Sequence, residues 1–409
     1  MRETNKEVDS KLIPEINIGV VGHVAHGKTT LVETLTGKST LTHSEELKRG
    51  ITIRLGYADA TFYKCKNGHY TTSKKCPVCF SDCEILRTVS FVDAPGHETL
   101  MATVLTGAAL MDGAILVIAA NEKCPQPQTR EHLIALEVVG IKNVIIVQSK
   151  IDLISKEEVL KNYQEIKKFI KGTLLENSPI IPVSSQQRVN IDKIIEAIEK
   201  LVPSSKKDET KDLRMLIARS FDINRPGTQP SKLRGGVLGG AILQGKIKIG
   251  DEIEIRPGVR LSDKYKPIFT KVIGLQKAGI DLDEAGPGGL LGLMTTLDPF
   301  LTRSDILVGN VVGLPNKLPE AKNSINLEIK LLERVVGSEE LGTVQPVRLN
   351  ENIMINVGTA RSIGTVAAAK KNKIELKLRI PVCVEEKERM AISRQVSGRW
   401  RLIGYGNVV

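Results

Sequence analysis

The sequence predicts an α/β domain with a mostly parallel sheet and helices on both faces, followed by two β-barrel domains. From residue 16 to about residue 203, apolar strands alternate with amphipathic helices, which is the pattern of a sheet covered on both faces. Beyond the polar stretch 203–209 the chain has short strands separated by glycine and proline turns, as small barrels do. A second polar stretch at 316–321 leads to another strand-rich segment, so we expect two barrels.

The length of 409 residues is too great for a single hydrophobic core. We expect the α/β domain at residues 1–205, with a cysteine-rich insertion at about 63–84. The first barrel is expected at 206–318 and the second at 319–409.

Residues 22–29, Gly-His-Val-Ala-His-Gly-Lys-Thr, form a complete phosphate-binding loop between a predicted strand at 17–21 and a predicted helix at 30–35. Glycines let backbone N–H groups surround phosphate oxygens, and the helix N-terminus adds partial positive charge. We expect Lys28 to lie along the β- and γ-phosphates and the Thr29 hydroxyl to bind Mg²⁺. The residues expected around the phosphates are Gly22, Val24, Ala25, His26, Gly27, Lys28, Thr29 and Thr30.

The motif Asp-Ala-Pro-Gly-His at 93–97 follows the apolar strand 89–92. An acidic residue at that strand end can hold Mg²⁺ through water, so we expect Asp93 beside the cation. Gly96 can bring its amide to the γ-phosphate because it has no side chain. His97 can orient an attacking water molecule. The expected catalytic set is therefore His97, Lys28, Thr52 and Asp93.

The segment 48–53, Lys-Arg-Gly-Ile-Thr-Ile, lies between these two motifs and is expected to act as a switch. We expect Thr52 to reach Mg²⁺ and the γ-phosphate only in the triphosphate state, because the γ-phosphate orders such a segment and its loss releases it. The expected Mg²⁺ set is Thr29, Gly50, Thr52 and Asp93.

A third motif, Ser-Lys-Ile-Asp at 149–152, predicts the base-binding end of the site. The Asp152 carboxylate can accept two hydrogen bonds from the N1–H and N2–H₂ edge of guanine, a donor pair that adenine lacks. The stem of Lys150 can cover the purine ring. A weaker fourth motif at 184–186 offers backbone N–H groups to guanine O6. The residues expected around the base are Ser149, Lys150, Asp152, Ser184, Ser185 and Gln186.

Four of the six cysteines cluster, at Cys65, Cys76, Cys79 and Cys83. The Cys-Pro-Val-Cys segment is one half of a zinc knuckle, whereas the other half is broken. The fourth ligand beside the first three cysteines is either His69 or Cys83, and both sets satisfy tetrahedral zinc. We therefore expect one structural Zn²⁺, the alternative being a loop without a metal.

Charge and composition restrict the remaining possibilities. Lys and Arg number 58 against 47 acidic residues, a net charge of +11 that suits a polyanion such as RNA. Aromatic residues make up only 3%, so contacts to RNA are expected mainly at phosphate and sugar. No apolar run approaches the ~20 residues of a membrane span, and the charged first residues lack a signal-peptide core. We expect a cytoplasmic protein that binds no membrane.

The phosphate loop with His23 and His26, the Arg-Gly-Ile-Thr segment at 49–52 and the motif at 93–97 resemble the translational GTPases related to elongation factor Tu. Longer sequence segments in all three parts of the chain resemble the family of gamma subunits of archaeal and eukaryotic initiation factor 2. These segments lie at 43–50, 55–58, 97–103, 125–132, 235–240, 393–395 and 398–401.

This resemblance implies a GTP-binding gamma subunit of a heterotrimer, with alpha and beta partner subunits, of the archaeal type. It also implies that the chain carries methionyl initiator tRNA to the small ribosomal subunit in the GTP state and hydrolyses GTP to GDP. Two positions depart from the family pattern, which usually has Asp at Ala25 and Asn at Ser149. A carboxylate lost beside the phosphates affects hydrolysis more than binding.

Two alternatives follow from these features. One is a selenocysteine-specific or other tRNA-carrying elongation factor, which also joins a GTPase domain to barrels. The other is a hydrolysis-impaired, GTP-gated assembly scaffold, which the alanine at position 25 favours.

Overall fold

The computed structural model describes residues 9–40, 52, 55–97, 100–204, 208–332 and 343–409. These residues form one α/β domain and two barrels, which confirms the predicted fold class. No helix among them is long and apolar enough to cross a membrane.

The α/β domain contains a seven-stranded sheet in the order β3-β2-β4-β1-β5-β6-β7. Strand β1 is central and pairs in parallel with β4 and β5, whereas β2 pairs antiparallel to β4. The strands are β1 (Pro14–Gly22), β2 (Gly56–Cys65), β3 (Tyr70–Thr71), β4 (Cys83–Asp93), β5 (Gly113–Ala119), β6 (Val144–Ser149) and β7 (Ile180–Pro182). The helices are α1 (Lys28–Thr36), α2 (Met101–Ala108), α3 (Pro127–Val139), α4 (Lys156–Ile170) and α5 (Ile191–Leu201).

Helices cover both faces of this sheet because its central strands are apolar on both sides. Every residue of β5 is buried, which is typical of a strand inside a parallel sheet. One apolar core lies under α2, α3 and α4, and a second lies under α1 and α5. The carboxyl ends of β1, β4 and β6 therefore meet at one edge of the sheet, where the predicted motifs lie.

The middle domain is a barrel whose sheet has the order β11-β16-β8-β9-β15-β12-β13 and is closed by pairing of β11 with β12. Its strands are β8 (Arg214–Phe221), β9 (Val237–Gln244), β10 (Ile247–Lys248), β11 (Glu252–Leu261), β12 (Lys264–Lys277), β13 (Ile280–Leu282), β14 (Glu284–Ala285), β15 (Leu291–Thr295) and β16 (Val311–Gly313). Its interior is filled by aliphatic side chains such as Ile217, Leu238 and Ile253.

The last domain is a closed barrel in the order β17-β20-β19-β18-β21-β22. Its strands are β17 (Ala321–Leu331), β18 (Asn352–Val357), β19 (Ala360–Lys370), β20 (Lys373–Cys383), β21 (Arg389–Val396) and β22 (Arg399–Val408). The connections between α5 and β8 and between β16 and β17 contain the boundaries that we propose, 205/206 and 318/319.

The last barrel packs directly on helix α3 of the α/β domain. Arg401 on β22 forms a buried ion pair with Glu131 on α3, with the nitrogen and oxygen 2.7 Å apart. Arg389 on β21 donates to the carbonyls of Glu137 and Val138 at the C-terminal end of α3. A cation at that end also interacts favourably with the helix dipole. Helix α3 thus lies between the last barrel and one face of the sheet, in an apolar core that also contains Ala391 and Leu402 of the barrel.

Candidate nucleotide-binding site

The phosphate loop connects the end of β1 to the first residue of α1, as its sequence predicts. Gly22 has φ +140° and Gly27, the cap of α1, has φ +90°. A Cβ atom on Gly22 would lie 2.3 Å from the carbonyl oxygen of Val117, so only glycine fits there. Ala25 has φ +60°, which is strained for alanine. These positive φ angles let the loop turn sharply between β1 and α1.

Helix α3 supplies a contact to this loop that the motifs do not predict. The backbone N–H of Gly22 donates to Nδ1 of His132 at 2.7 Å, and the imidazole is fully buried. Burial lowers the pKa of His132 to about 3, with the charge of Lys28 acting in the same direction. The ring is therefore neutral and can accept this hydrogen bond.

Lys28 lies in the loop with its ammonium group directed at the carbonyl of His23, at 2.7 Å. Burial lowers the pKa of Lys28 to about 8, while Asp93 acts in the opposite direction. The ammonium group is therefore charged at neutral pH and lies where an anionic ligand compensates for its loss of solvation.

Asp93 is the centre of a buried cluster of hydroxyl groups. Its Oδ2 accepts from Thr40 at 2.7 Å, from Thr29 at 2.8 Å and from Thr52 at 3.3 Å. The hydroxyls of Thr29 and Thr52 are themselves 2.9 Å apart. Thr52 thus lies beside Thr29 and Asp93, two of the residues of the expected Mg²⁺ set, whereas Gly50 lies outside the described residues. The contribution of Thr40 was not predicted.

The donor set around Asp93 fits a divalent cation. Oδ1 of Asp93 is buried and has no hydrogen-bond partner among the described residues. Burial raises the pKa of this carboxyl group, with the hydroxyl contacts acting against the shift. A hard cation prefers carboxylate and hydroxyl oxygens, and it would offset the cost of burying this charge.

Gly96 and His97 border the same phosphate space as the loop residues. A Cβ atom on Gly96 would lie 2.4 Å from Nζ of Lys28 and 2.8 Å from the backbone nitrogen of Val24, so this position requires glycine. A cavity of about 270 Å³ lies beside these residues. Its lining comprises Val24, Ala25, Gly27, Lys28, Thr29, Thr30, Thr52, Gly96, His97 and Lys150.

A second cavity of about 230 Å³ adjoins the first, and both are lined by Gly27, Thr30 and Lys150. Its other lining residues are Ser149, Asp152, Leu153, Ser185 and Gln186. Lys150 adopts the left-handed conformation, φ +60°, which turns the chain from β6 around this cavity. Together the two cavities have the arrangement of a site for a phosphorylated nucleotide, with a cationic end and a carboxylate end.

Three of the predicted residues, His26, Ser149 and Ser184, brace the loops through buried hydrogen bonds. The imidazole of His26 contacts the Val117 carbonyl at 3.1 Å and Glu122 at 3.3 Å, and burial lowers its pKa to about 4. The Ser149 hydroxyl lines the second cavity but also donates to the His26 carbonyl at 2.6 Å. Ser184 is buried and accepts from the N–H of Gln187 at 3.2 Å.

The cysteine-rich insertion extends β2 and β4 at the far edge of the sheet. The sulfur atoms of Cys65, Cys76 and Cys79 lie within 4.8 Å of one another, which is compatible with zinc. His69 and Cys83 lie outside this group of three. Cys83 is directly opposite Cys65 on the neighbouring strand, and directly opposite residues project from the same face of a sheet.

Comparisons with known proteins agree with this geometry. Residues 14–204 match the family model described as the elongation factor Tu GTP binding domain, and residues 323–408 match the model described as initiation factor eIF2 gamma, C terminal. The first family is one of GTP-hydrolysing translation factors, so the two cavities belong to a domain of the GTPase class.

Two solved structures share the fold. A bacterial selenocysteine-specific elongation factor aligns with a TM-score of 0.74 and 24% identity, covering 96% of this chain, which spans only 58% of that factor. Elongation factor SelB from Methanococcus maripaludis, solved with a GTP analogue, aligns with a TM-score of 0.71 and 23% identity, covering 97% of this chain and 79% of that one. At these identities the likeness concerns the fold and not the selenocysteine function.

Relatives of far higher identity are named translation initiation factor 2 subunit gamma. The protein from Pyrococcus furiosus is 59% identical over 397 residues, covering 96% of this chain and 97% of the relative. The protein from Archaeoglobus fulgidus is 58% identical over 399 residues, covering 96% and 94%. The protein from Methanocaldococcus jannaschii is 55% identical over 399 residues, covering 96% and 97%. The chain therefore belongs to the family of translation initiation factor 2 gamma subunits, with a GTP-binding domain of the elongation factor Tu type.

Proposed function

We propose that this chain is a GTP-gated carrier of methionyl initiator tRNA, with the nucleotide bound across the two adjoining cavities. Asp152 receives the N1–H and N2–H₂ edge of guanine at one end, and the stem of Lys150 covers the ring. The shared wall of Gly27, Thr30 and Lys150 supports one continuous ligand rather than two separate ones.

The phosphate end holds the triphosphate through Lys28 and the backbone N–H groups of residues 24–30. Thr29, Thr52 and Asp93 hold Mg²⁺, which neutralises charge on the β- and γ-phosphates when it is bound. Gly50 belongs to the same proposed set. Oδ1 of Asp93 supports this assignment, since it is a buried acceptor to which none of the described residues donates.

In hydrolysis, water attacks the γ-phosphate and the bond to the β-phosphate oxygen breaks, leaving GDP and inorganic phosphate. His97 lines the phosphate cavity together with Lys28 and orients the water molecule. The Lys28 ammonium group stabilises the charge that develops on the transferred group. Ala25 lines the same cavity without a carboxylate, which supports slow turnover as a second candidate property.

The observation that carries the gating proposal is the position of Thr52. Its hydroxyl lies within hydrogen-bond distance of both Thr29 and Asp93 at the phosphate cavity, so Thr52 is placed to respond to a ligand that binds there. A γ-phosphate adds contacts to Thr52, and its loss removes them. The tRNA surface beside this segment is therefore expected to exist in the GTP state.

The partners follow from the family name that the relatives carry. We propose that the chain assembles with alpha and beta subunits of the factor and delivers the charged initiator tRNA to the small ribosomal subunit. The net charge of +11 supports contact with RNA. We also propose a cytoplasmic location, where translation takes place.

We propose that the cysteine-rich insertion holds one structural Zn²⁺. Cys65, Cys76 and Cys79 supply three sulfur ligands, and Cys83 is the better candidate for the fourth because it lies opposite Cys65. His69 is the alternative. Four protein ligands leave no open position for water, so such a site stabilises the loop.

The experiment that tests the carrier function compares charged initiator tRNA with charged elongator methionyl tRNA. Both carry the same amino acid, so a difference in affinity reports on the tRNA itself. With a non-hydrolysable GTP analogue bound, we expect the initiator to bind at least about tenfold more tightly, a difference of about 1.4 kcal/mol. Equal affinity for the two tRNAs would contradict the initiator assignment.

A further inference from the structure

A second concave site lies between helix α2 and one end of the last barrel, outside the nucleotide cavities. It has a volume of about 460 Å³. Met101 and Ala102, at the start of α2, form one wall, and residues of the barrel strands β18 to β22 form the others. The Asn356 side chain donates to the Ala102 carbonyl at 3.4 Å, so the two domains touch beside the cavity.

The charged residues that line this cavity are all positively charged. Arg361, Arg379 and Arg399 line it, and all three side chains are exposed. None of the described residues that line it is acidic. Arg361 lies near the start of β19 and Arg379 near the end of β20, so pairing of the two strands brings the guanidinium groups to the same barrel end. Guanidinium groups bind phosphate in a bidentate manner and suit an anionic strand.

The same cavity contains the one tryptophan of the chain, Trp400, which is half-buried at the start of β22. Met354 lies buried at the base of the cavity, and Ile380 is 42% exposed at its rim. An aromatic face bordered by cations is the combination that stacks a base while holding its phosphates. An acidic protein segment would use the arginines but would leave the aromatic and aliphatic surface uncovered.

We propose that this cavity binds a single-stranded RNA segment, with a base stacked on Trp400 and the adjoining phosphates held by Arg361, Arg379 and Arg399. This contact is separate from the nucleotide site and goes beyond the tRNA-carrying function proposed above. The start of α2 adds the partial positive charge of a helix N-terminus to the same wall.

The test uses the full chain saturated with GDP and Mg²⁺, so that the phosphate loop is occupied. The probe is an adenosine RNA octamer with hydroxyl groups at both ends, which offers no terminal phosphate to the nucleotide site. Because Trp400 is the single tryptophan, its fluorescence reports directly on stacking. We expect saturable quenching by the octamer and a binding constant that falls as salt rises.

Three variants distinguish binding of the octamer in this cavity from general electrostatic attraction between RNA and a basic protein. Arg361→Gln with Arg379→Gln should weaken binding at least about tenfold and reduce the log–log salt slope by about 1.4, since each phosphate contact contributes about 0.7 for a single strand. Lys370→Gln with Lys373→Gln removes the same charge at the opposite end of the β19–β20 hairpin and should change affinity little. Trp400→Leu, followed by anisotropy of a labelled octamer, should weaken binding about tenfold with an unchanged salt slope.

Unfolding midpoints of the variants serve to confirm that each is folded. The proposal is overturned if the octamer leaves Trp400 fluorescence unchanged, or if the two double variants weaken binding equally. It is also overturned if a glutamate octapeptide quenches Trp400 where the RNA does not, because the cavity would then recognise an acidic protein.

Discussion

Gly22 and His132 are joined by a hydrogen bond of 2.7 Å that ties helix α3 to the first glycine of the phosphate loop. The neighbouring residue on α3, Glu131, forms the buried ion pair with Arg401 of the last barrel. Helix α3 therefore contacts the phosphate loop through His132 and the last barrel through the adjacent Glu131. The geometry of the loop depends on how α3 is held.

We expect His132→Ala to weaken GDP binding and to lower the unfolding midpoint. The change leaves the buried N–H of Gly22 without an acceptor, which costs about 1–3 kcal/mol. His132→Gln offers an amide oxygen in its place and should recover part of the loss. Affinity for a fluorescent GDP analogue and thermal unfolding measure the two effects. If the alanine variant retains the parent's affinity, the bond does not support the loop.

The same imidazole predicts a dependence of stability on pH. Since burial lowers the pKa of His132 from 6.5 to about 3, the unfolded chain binds more protons than the folded one between these values. Stability is present above pH 6.5 and is lost as the pH falls, by at most about 1.4 kcal/mol per pH unit from this group. The stability gap between the parent and His132→Gln should therefore narrow between pH 7.5 and pH 5.5, whereas a constant gap would exclude His132 as its source.

Asp152→Asn should change the base that the protein prefers. The carboxylate can accept two hydrogen bonds from guanine. An amide in its place can instead donate a hydrogen bond to the O2 atom of xanthine. We expect GDP affinity to fall at least about 100-fold, with xanthosine diphosphate becoming the better ligand. Glu157→Gln, an exposed carboxylate in the first turn of α4, is the matched control. If ADP competes with GDP for the parent protein, the second cavity does not select guanine over adenine.

Ala25→Asp should raise the rate of GTP hydrolysis with little change in GTP affinity. Ala25 lines the phosphate cavity at φ +60°, a conformation that aspartate tolerates better than alanine. Ala25→Gly is the control, because it relieves the backbone strain without adding a carboxylate. Single-turnover hydrolysis with small ribosomal subunits and a GTPase activator measures the rate. Equal rates in all three proteins would make position 25 a passive part of the loop.

Metal analysis of protein purified without added zinc should give one Zn²⁺ per chain. Cys83→Ser should release the metal, whereas His69→Ala should retain it, because Cys83 is directly opposite Cys65. Release by the histidine variant alone would assign the fourth ligand to His69. A zinc content near zero in the parent protein would contradict the proposal that the cysteine-rich insertion binds zinc.

The sequence was sufficient for the features that depend on neighbouring residues. The phosphate loop, the motif at 93–97 and the motif at 149–152 lie where strand–loop–helix patterns placed them, and the change of periodicity after residue 203 marked the first barrel. Short-range spacing sets these features, so it also predicts them.

The contacts that were missed join residues far apart in the chain. His132 is 110 positions from Gly22, and Arg401 is 270 positions from Glu131. Thr40 reaches Asp93 across 53 positions. Neither periodicity nor a local motif encodes such pairs, because they arise only when the chain folds and brings distant segments together. The sequence signal for these contacts was the Glu131-His132 pair within the segment 125–132. The sequence alone does not indicate which distant residues this pair contacts.

The gated-carrier function is tested most directly by the affinity of charged initiator tRNA in the presence of a non-hydrolysable GTP analogue and of GDP, for the parent and for Thr52→Ala. If Thr52 couples the phosphate cavity to the tRNA surface, the parent should bind at least about tenfold more tightly in the analogue state. The variant should lose most of this difference while still binding both nucleotides. Equal affinity of the parent in the two states would contradict the gated-carrier function.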